Sequence, residues 1–313
     1  MKKNGGKNGK SMWRGVYPAV TTQFKKDFSV DFDATERGIQ ALIDAGVDGL
    51  IMCGTVGENG SLEPQEKRAV LKAAKEVASG KVPVVTGVAE LSTEAACRYA
   101  RDAEKIGVDG LMVIPPVGYS AKPRETIEHF RRVGAASGLP IMLYNNPPVY
   151  KIDVTPDMIA ELASVKTIQA VKESSGDTKR LVDIQNLTGD RFILFCGLDD
   201  VLLESMLLGC VGWVSGMSNV FPEESAELFR LAAAGRWEEA MAIYRWFMPV
   251  LHLDARSDLV QCIKLCEQIA GHGHERTRPP RLPMQGAERA EIEKIMATAL
   301  KNRPKLRKLK RAA

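Results

Sequence analysis

Histidine is scarce in this chain of 313 residues: only four occur, His129, His252, His272 and His274. A catalytic metal centre wants clustered His, Cys and carboxylate ligands. These four are spread between one helical stretch and the last quarter of the chain, so no metal is expected. Cysteine is sparse too. The six residues Cys53, Cys97, Cys196, Cys210, Cys262 and Cys266 are scattered and mostly sit in apolar runs, where a thiol behaves as a small hydrophobe. Cys262 and Cys266 stand four apart on a helical stretch with no second ligand pair nearby, and read as two buried thiols rather than half a zinc site. This usage predicts a reduced, cytoplasmic protein. No window approaches the roughly 18 apolar residues of a membrane span, and the N-terminus lacks the apolar core of a secretion signal. With 27 glycines, 16 prolines and 45% hydrophobic residues, disorder, collagen and coiled coil are excluded as well.

Acidic residues are missing from both ends. Residues 1–12 hold Lys2, Lys3, Lys7 and Lys10, and residues 301–313 hold seven further Lys and Arg, with no Asp or Glu in either segment. The formal charge of +4 comes from 43 basic and 39 acidic residues. Removing the 11 tail cations leaves 32 basic against 39 acidic, so residues 13–300 carry −7. The tails lack interleaved aromatics and read as disordered, solvated segments, and no nucleic-acid or membrane partner is expected.

What is present is repetition. Gly46-Val47-Asp48-Gly49-Leu50 recurs as Gly107-Val108-Asp109-Gly110-Leu111, each copy closing a helical stretch and opening an apolar strand. That is the corner of a βαβ unit. Apolar runs short enough for buried parallel strands start near Val16, Gly49, Val82, Gly110, Ile141, Ile168, Phe192 and Gly212. Eight such units without a break in composition predict a (β/α)8 TIM barrel over residues 13–221. No Gly-x-Gly-x-x-Gly follows the first strand, which speaks against an open dinucleotide-binding sheet. Further helical periods follow, so residues 222–300 are expected to form a C-terminal helical extension of the same domain.

In such a barrel the active site lies at the C-terminal ends of the strands. The sixth strand closes on Lys172, whose ammonium must sit at the barrel mouth. Burial there lowers its pKa and makes the amine a nucleophile towards carbonyls. The alternative on this residue alone is a loop lysine paired with Glu173. The fifth strand ends in Tyr144, next to Asn145-Asn146-Pro147-Pro148, and a phenol there can carry protons to and from a carbinolamine. A core aromatic with a wet tip is its other reading. The second strand runs into Gly54-Thr55-Val56-Gly57, a turn whose backbone N–H groups can hold a carboxylate and whose Thr55 hydroxyl can exchange protons with Tyr144. The loops after strands seven and eight, with Gly197 and Gly216, offer a phosphate site or simply a fitted barrel rim.

Taken in order, Gly54-Thr55-Val56-Gly57-Glu58, Tyr144-Asn145-Asn146-Pro147 and Val171-Lys172-Glu173-Ser174-Ser175-Gly176 resemble the dihydrodipicolinate synthase / N-acetylneuraminate lyase superfamily of class I aldolases, over about residues 13–300. The resemblance implies an imine between Lys172 and a small 2-keto acid with no separate cofactor, Tyr144 as proton relay with Thr55 as its partner, and residues Gly54, Thr55, Val56 and Gly57 around the substrate carboxylate. It also implies substrate contacts at Gly197 and Val214, and a homotetramer built as a dimer of dimers.

Three departures narrow the reading. The loop has Val56 where the synthases carry a second threonine, and Val149 where they carry an arginine for the aldehyde substrate's carboxylate. Pro116-Val117 replaces a tyrosine pair, with Tyr119 displaced nearby as its possible substitute at the substrate. Losing a bidentate arginine argues against the lysine-biosynthetic 4-hydroxy-tetrahydrodipicolinate synthase reaction. Gly15 to Phe24, the Gly-Thr-Val-Gly-Glu-Asn loop and Phe195-Cys196-Gly197-Leu198-Asp199-Asp200 are most similar to catabolic members that convert 1-pyrroline-4-hydroxy-2-carboxylate to 2,5-dioxopentanoate, with the 4-hydroxyl leaving as water and the ring nitrogen as ammonia. The competing expectations are an aldolase or dehydratase of 2-keto-3-deoxy sugar acids and, from another class, a non-catalytic binding barrel.

Overall fold

The computed structural model describes residues 13–306. Residues 1–12 and 307–313, which hold the amino-terminal basic tail and most of the carboxy-terminal one, lie outside the described residues.

The apolar runs become eight short strands: β1 (Gly15–Pro18), β2 (Leu50–Met52), β3 (Val84–Val88), β4 (Gly110–Val113), β5 (Ile141–Asn145), β6 (Ile168–Glu173), β7 (Ile193–Cys196) and β8 (Gly212–Ser215). Every start falls within two residues of its sequence-based position. The strands pair in parallel in the order β1-β8-β7-β6-β5-β4-β3-β2. An isolated parallel bridge, Ala19 with Ile51, joins the two ends, and Val20 N donates to Ile51 O at 2.9 Å. The result is a TIM barrel, closed at this one narrow seam.

Around it run α1 (Phe32–Ala45), α2 (Pro64–Ala78), α3 (Thr93–Ile106), α4 (Pro123–Ala136), the single turn α5 (Pro147–Tyr150), α6 (Pro156–Glu161), α7 (Lys179–Thr188), α8 (Leu202–Leu207) and α9 (Pro222–Ala233). Then follow α10 (Trp237–Leu251), α11 (Leu259–Ala270) and α12 (Gly286–Lys301). Helix α9, counted in the extension from sequence, packs on β1 and α1 and completes the barrel's own ring. The true extension is therefore α10 to α12.

The repeated pentapeptide has a physical explanation. Gly46 and Gly107 cap α1 and α3 in the left-handed region, at φ of 94° and 85°, where a side chain is strained. Asp48 and Asp109 accept from Val16 N and Val84 N, both at 2.8 Å, so each carboxylate ties down the start of the preceding strand. A Cβ at Gly49 would come within 2.1 Å of the Tyr17 ring, and one at Gly110 within 2.2 Å of Trp13. Every position of the repeat except the apolar ones thus has a backbone or packing reason.

The expectation of a free tail from residue 301 is corrected over its described part. Arg303 leaves α12 and forms charge-assisted bonds with the buried carboxylate of Glu224 on α9, stacking over Phe221 at 5.3 Å. A buried glutamate needs a cation, and among the described residues Arg303 is the one that reaches it.

Candidate active site

Lys172 pairs in register with Tyr144 on β5, so the two side chains leave the barrel at one level. Its ammonium lies 3.8 Å from the centroid of the Tyr144 ring, and the residue is 5% exposed. A Cβ at Gly197, next strand over, would stand 2.0 Å from Ser174 Oγ and 2.7 Å from Lys172 Cγ. Only glycine lets the lysine stem pass there. Glu173 turns the other way, accepting from Asn145 Nδ2 at 3.0 Å and Ser175 N at 2.6 Å, so the Lys172–Glu173 pair does not form. Burial lowers the Lys172 pKa to about 8, with the nearby Asp254 and Asp199 charges pulling the other way.

Burial likewise pushes the Tyr144 phenol up to about 12, so it is neutral and able to donate a proton. Asn146 Nδ2 donates to its oxygen at 2.9 Å. One expectation is corrected here: Thr55 Oγ1 lies 2.5 Å from the hydroxyl of Tyr150, not of Tyr144. The Tyr150 and Tyr144 rings meet edge to face at 5.6 Å, which places Tyr150 between threonine and tyrosine. Tyr150 gets there because Asn146 caps α5, accepting from Val149 N at 3.2 Å, and Pro147 supplies a preset first position. The Asn-Asn-Pro-Pro run was the legible sign of that turn, and six residues on from Tyr144 it delivers a second phenol.

Thr55, Val56, Tyr144, Lys172, Gly197 and Val214 line one cavity of about 100 Å³ at the barrel mouth. Gly54 and Gly57 do not line it. They shape the turn from behind, and a Cβ on Gly57 would meet Val20 O at 2.9 Å. Tyr119 is also corrected: it is 61% exposed and lies in a separate groove with Leu91 and His129, because the loop after β4 carries it outward beside Glu125. Gly216 does line the cavity.

Sequence reasoning missed two acids. Asp254 sits in the short turn His252–Ala255 after α10 and reaches back over the end of β8, where its Oδ1 occupies the space a Cβ on Gly216 would need, at 2.3 Å. Asp199, after β7, is fully engaged: Trp213 Nε1 donates to it at 3.0 Å, Ser215 Oγ at 3.0 Å and Met217 N at 2.8 Å. Burial raises the pKa of Asp254 to about 6 despite the opposing pull of Lys172. Burial and the neighbouring Asp254 charge raise that of Asp199. Arg256 also borders the cavity, but its guanidinium is held by Asp258 at 2.8 and 3.0 Å and by Glu291 at 3.1 Å.

A desolvated amine beside a neutral phenol, in a small cavity with threonine at one wall and a carboxylate at the other, suits imine chemistry on a small oxo acid. Trapping of a pyruvate adduct by cyanoborohydride is then expected to accelerate with pH up to about 8, where half of Lys172 is neutral, and to level off above it. An ordinary lysine would keep gaining to beyond about pH 10. Adduct formation followed by intact mass across that range separates the two, and a steady rise without a plateau would contradict a desolvated amine.

The described residues contain no helix long and apolar enough to cross a membrane. The profile of the Dihydrodipicolinate synthetase family matches residues 12–299. The 4-hydroxy-tetrahydrodipicolinate synthase of Methanothrix thermoacetophila is 31% identical over 286 residues, which are 91% of this chain and 96% of that protein. The structure of the 4-hydroxy-tetrahydrodipicolinate synthase from the thermoacidophilic methanotroph Methylacidiphilum fumariolicum SolV superposes with a TM-score of 0.89 at 26% identity, covering 92% of this chain and 96% of that one. YagE, a prophage protein of the dihydrodipicolinic acid synthase family from E. coli K12 solved in complex with pyruvate, gives 0.87 at 26% identity, covering 93% and 99%.

Proposed function

This chain belongs to the dihydrodipicolinate synthetase family of class I lyases, and on that premise we propose that Lys172 forms an imine with a 2-keto acid or its cyclic imine, specifically 1-pyrroline-4-hydroxy-2-carboxylate. The observation that carries the imine is the desolvated Lys172 amine, 3.8 Å over the Tyr144 ring. The pyruvate held by YagE is consistent with a small oxo acid in such a site.

The chemistry balances. The Lys172 amine adds to C2 of the ring imine, and the C2–N bond to the ring nitrogen breaks, opening the ring to a primary amine at C5. Tyr144 shuttles the protons of this exchange, and Thr55 and Tyr150 connect its phenol to the outer wall. Loss of a C3 proton and of the 4-hydroxyl as water then gives an unsaturated imine. Tautomerisation moves the unsaturation to C5–N, and two hydrolyses release ammonia and 2,5-dioxopentanoate and restore the lysine. One water is consumed net, and no redox partner or cofactor enters.

The relatives' name favours a second reading, 4-hydroxy-tetrahydrodipicolinate synthase. Against it stand Val56 and Val149, both of which border the cavity: Val56 offers no hydroxyl to the keto acid's carboxylate, and Val149 no cation to the aldehyde substrate's carboxylate. Homotetrameric assembly belongs to the proposal as well. Purified protein given the pyrroline acid should release ammonia, measured by a coupled assay. Pyruvate-dependent consumption of aspartate semialdehyde in its place would establish the synthase, and pyruvate released from 2-keto-3-deoxy acids would establish an aldolase.

A further inference from the structure

We propose that Asp254 is the acid that protonates the departing 4-hydroxyl of the Lys172-bound substrate; this rests on the dehydrating deaminase reading above.

Two carboxylates face Lys172, and their surroundings separate their tasks. Asp199 receives three donors, two from side chains and one from the Met217 amide, and is a fixed acceptor that does not line the cavity. Among the described residues no side chain donates a hydrogen bond to Asp254, whose residue is buried yet borders the cavity itself. It is near enough for its charge to act on both Lys172 and Tyr144, yet among the described residues no ion pair joins it to the lysine. Lys172 and Asp254 line the same cavity, so substrate atoms seated in it stand between amine and carboxylate.

The geometry also assigns ends. Thr55 and Val56 stand on the β2 side, and the phenol lies over the amine from β5. Asp254 comes in from beyond β8, held over Gly216. A substrate joined to Lys172 through C2, with its carboxylate towards the 54–57 turn, extends C3 and C4 away from that turn and towards Asp254. The step is an elimination: the C3 proton leaves by way of the Tyr144 relay, the C3–H electron pair forms the C3–C4 double bond, the C4–O bond breaks, and the oxygen takes the carboxyl proton of Asp254 and leaves as water, the C3 proton making good the one that Asp254 gave up. Burial lifts Asp254 to about 6 against the pull of Lys172, near enough to neutrality for a carboxyl at the cavity wall to take up a proton and hand it on.

The test uses two leaving groups. Asp254→Asn should lower ammonia release from the 4-hydroxy pyrroline acid on the order of 100-fold, the usual worth of one general acid. Its release from the 4-fluoro analogue, whose fluoride needs no strong acid, should stay within about threefold of wild type, and its pyruvate adduct should still be trapped on Lys172. Equal losses on both substrates, or no loss on either, would overturn the assignment while the deaminase reading stands. A wild type that traps pyruvate but releases no ammonia from the hydroxy acid would overturn that reading and this role with it.

Discussion

Lys172→Ala is expected to abolish turnover and reductive trapping together while leaving the protein folded and as stable as before. A nucleophile cannot be spared, and removal of comparable groups costs on the order of 10^4-fold or more. The stability half of the prediction comes from the pKa. Folding moves Lys172 from the usual lysine value to about 8. The folded state thus holds this proton more weakly than the unfolded chain, and stability from this group rises as the pH climbs from about 8 to above 10. At neutral pH the buried ammonium costs about 3 kcal/mol. Truncation removes that cost, and it also removes three buried methylenes worth about 2.4 kcal/mol plus a small cavity. The terms nearly cancel. A melting temperature within a few degrees of wild type, with no ammonia formed and no adduct by peptide mapping, is the expected pair of results. Residual trapping at another lysine would move the nucleophile elsewhere.

The barrel was legible because buried parallel strands leave short apolar runs at regular spacing, and eight of them are hard to mistake. Lys172 and Tyr144 were legible for a related reason: a polar residue that ends an apolar strand has one place to go. Asp254 left no such mark. It stands in an ordinary-looking His-Leu-Asp-Ala stretch after a long helix, and only the return of α10 and α11 over the barrel mouth brings it to the lysine. Tyr150 was hidden differently, by a single helical turn too short to show a period. Gly54 and Gly57 were read as binding residues when their work is on the backbone, since a glycine motif does not say which face of the turn the ligand sees. Tyr119 was drawn towards the site by analogy alone, and the loop after β4 carries it outward.

The second large effect is expected far from the amine, at Lys264→Ala. Glu58 follows Gly57 and closes the turn that carries Thr55 and Val56, and it sits at φ 56°, a left-handed conformation that a side chain adopts at a cost. Its carboxylate is completely buried and is paired at 3.0 Å with the equally buried Lys264 of α11, which also donates to Thr22 O at 2.8 Å and lies over Phe24 at 4.6 Å. The Arg278 amide donates to the second oxygen at 3.0 Å, and Arg281 stands 3.8 Å away. The strained turn is therefore fixed by an ion pair from the helical extension. Removing one partner of a buried pair leaves an uncompensated charge and typically costs about 3–5 kcal/mol. Lys264→Ala should lose that much in urea unfolding and should raise KM for the acid substrate more than it lowers kcat, since the loop moves and Lys172 does not. Replacing both partners, Glu58→Gln with Lys264→Met, should recover most of the stability, because an apolar and amide pair of similar volume needs no counter-charge. Should Lys264→Ala cost under about 1 kcal/mol, the two arginines suffice to hold Glu58, and the extension does not fix the carboxylate loop through this pair.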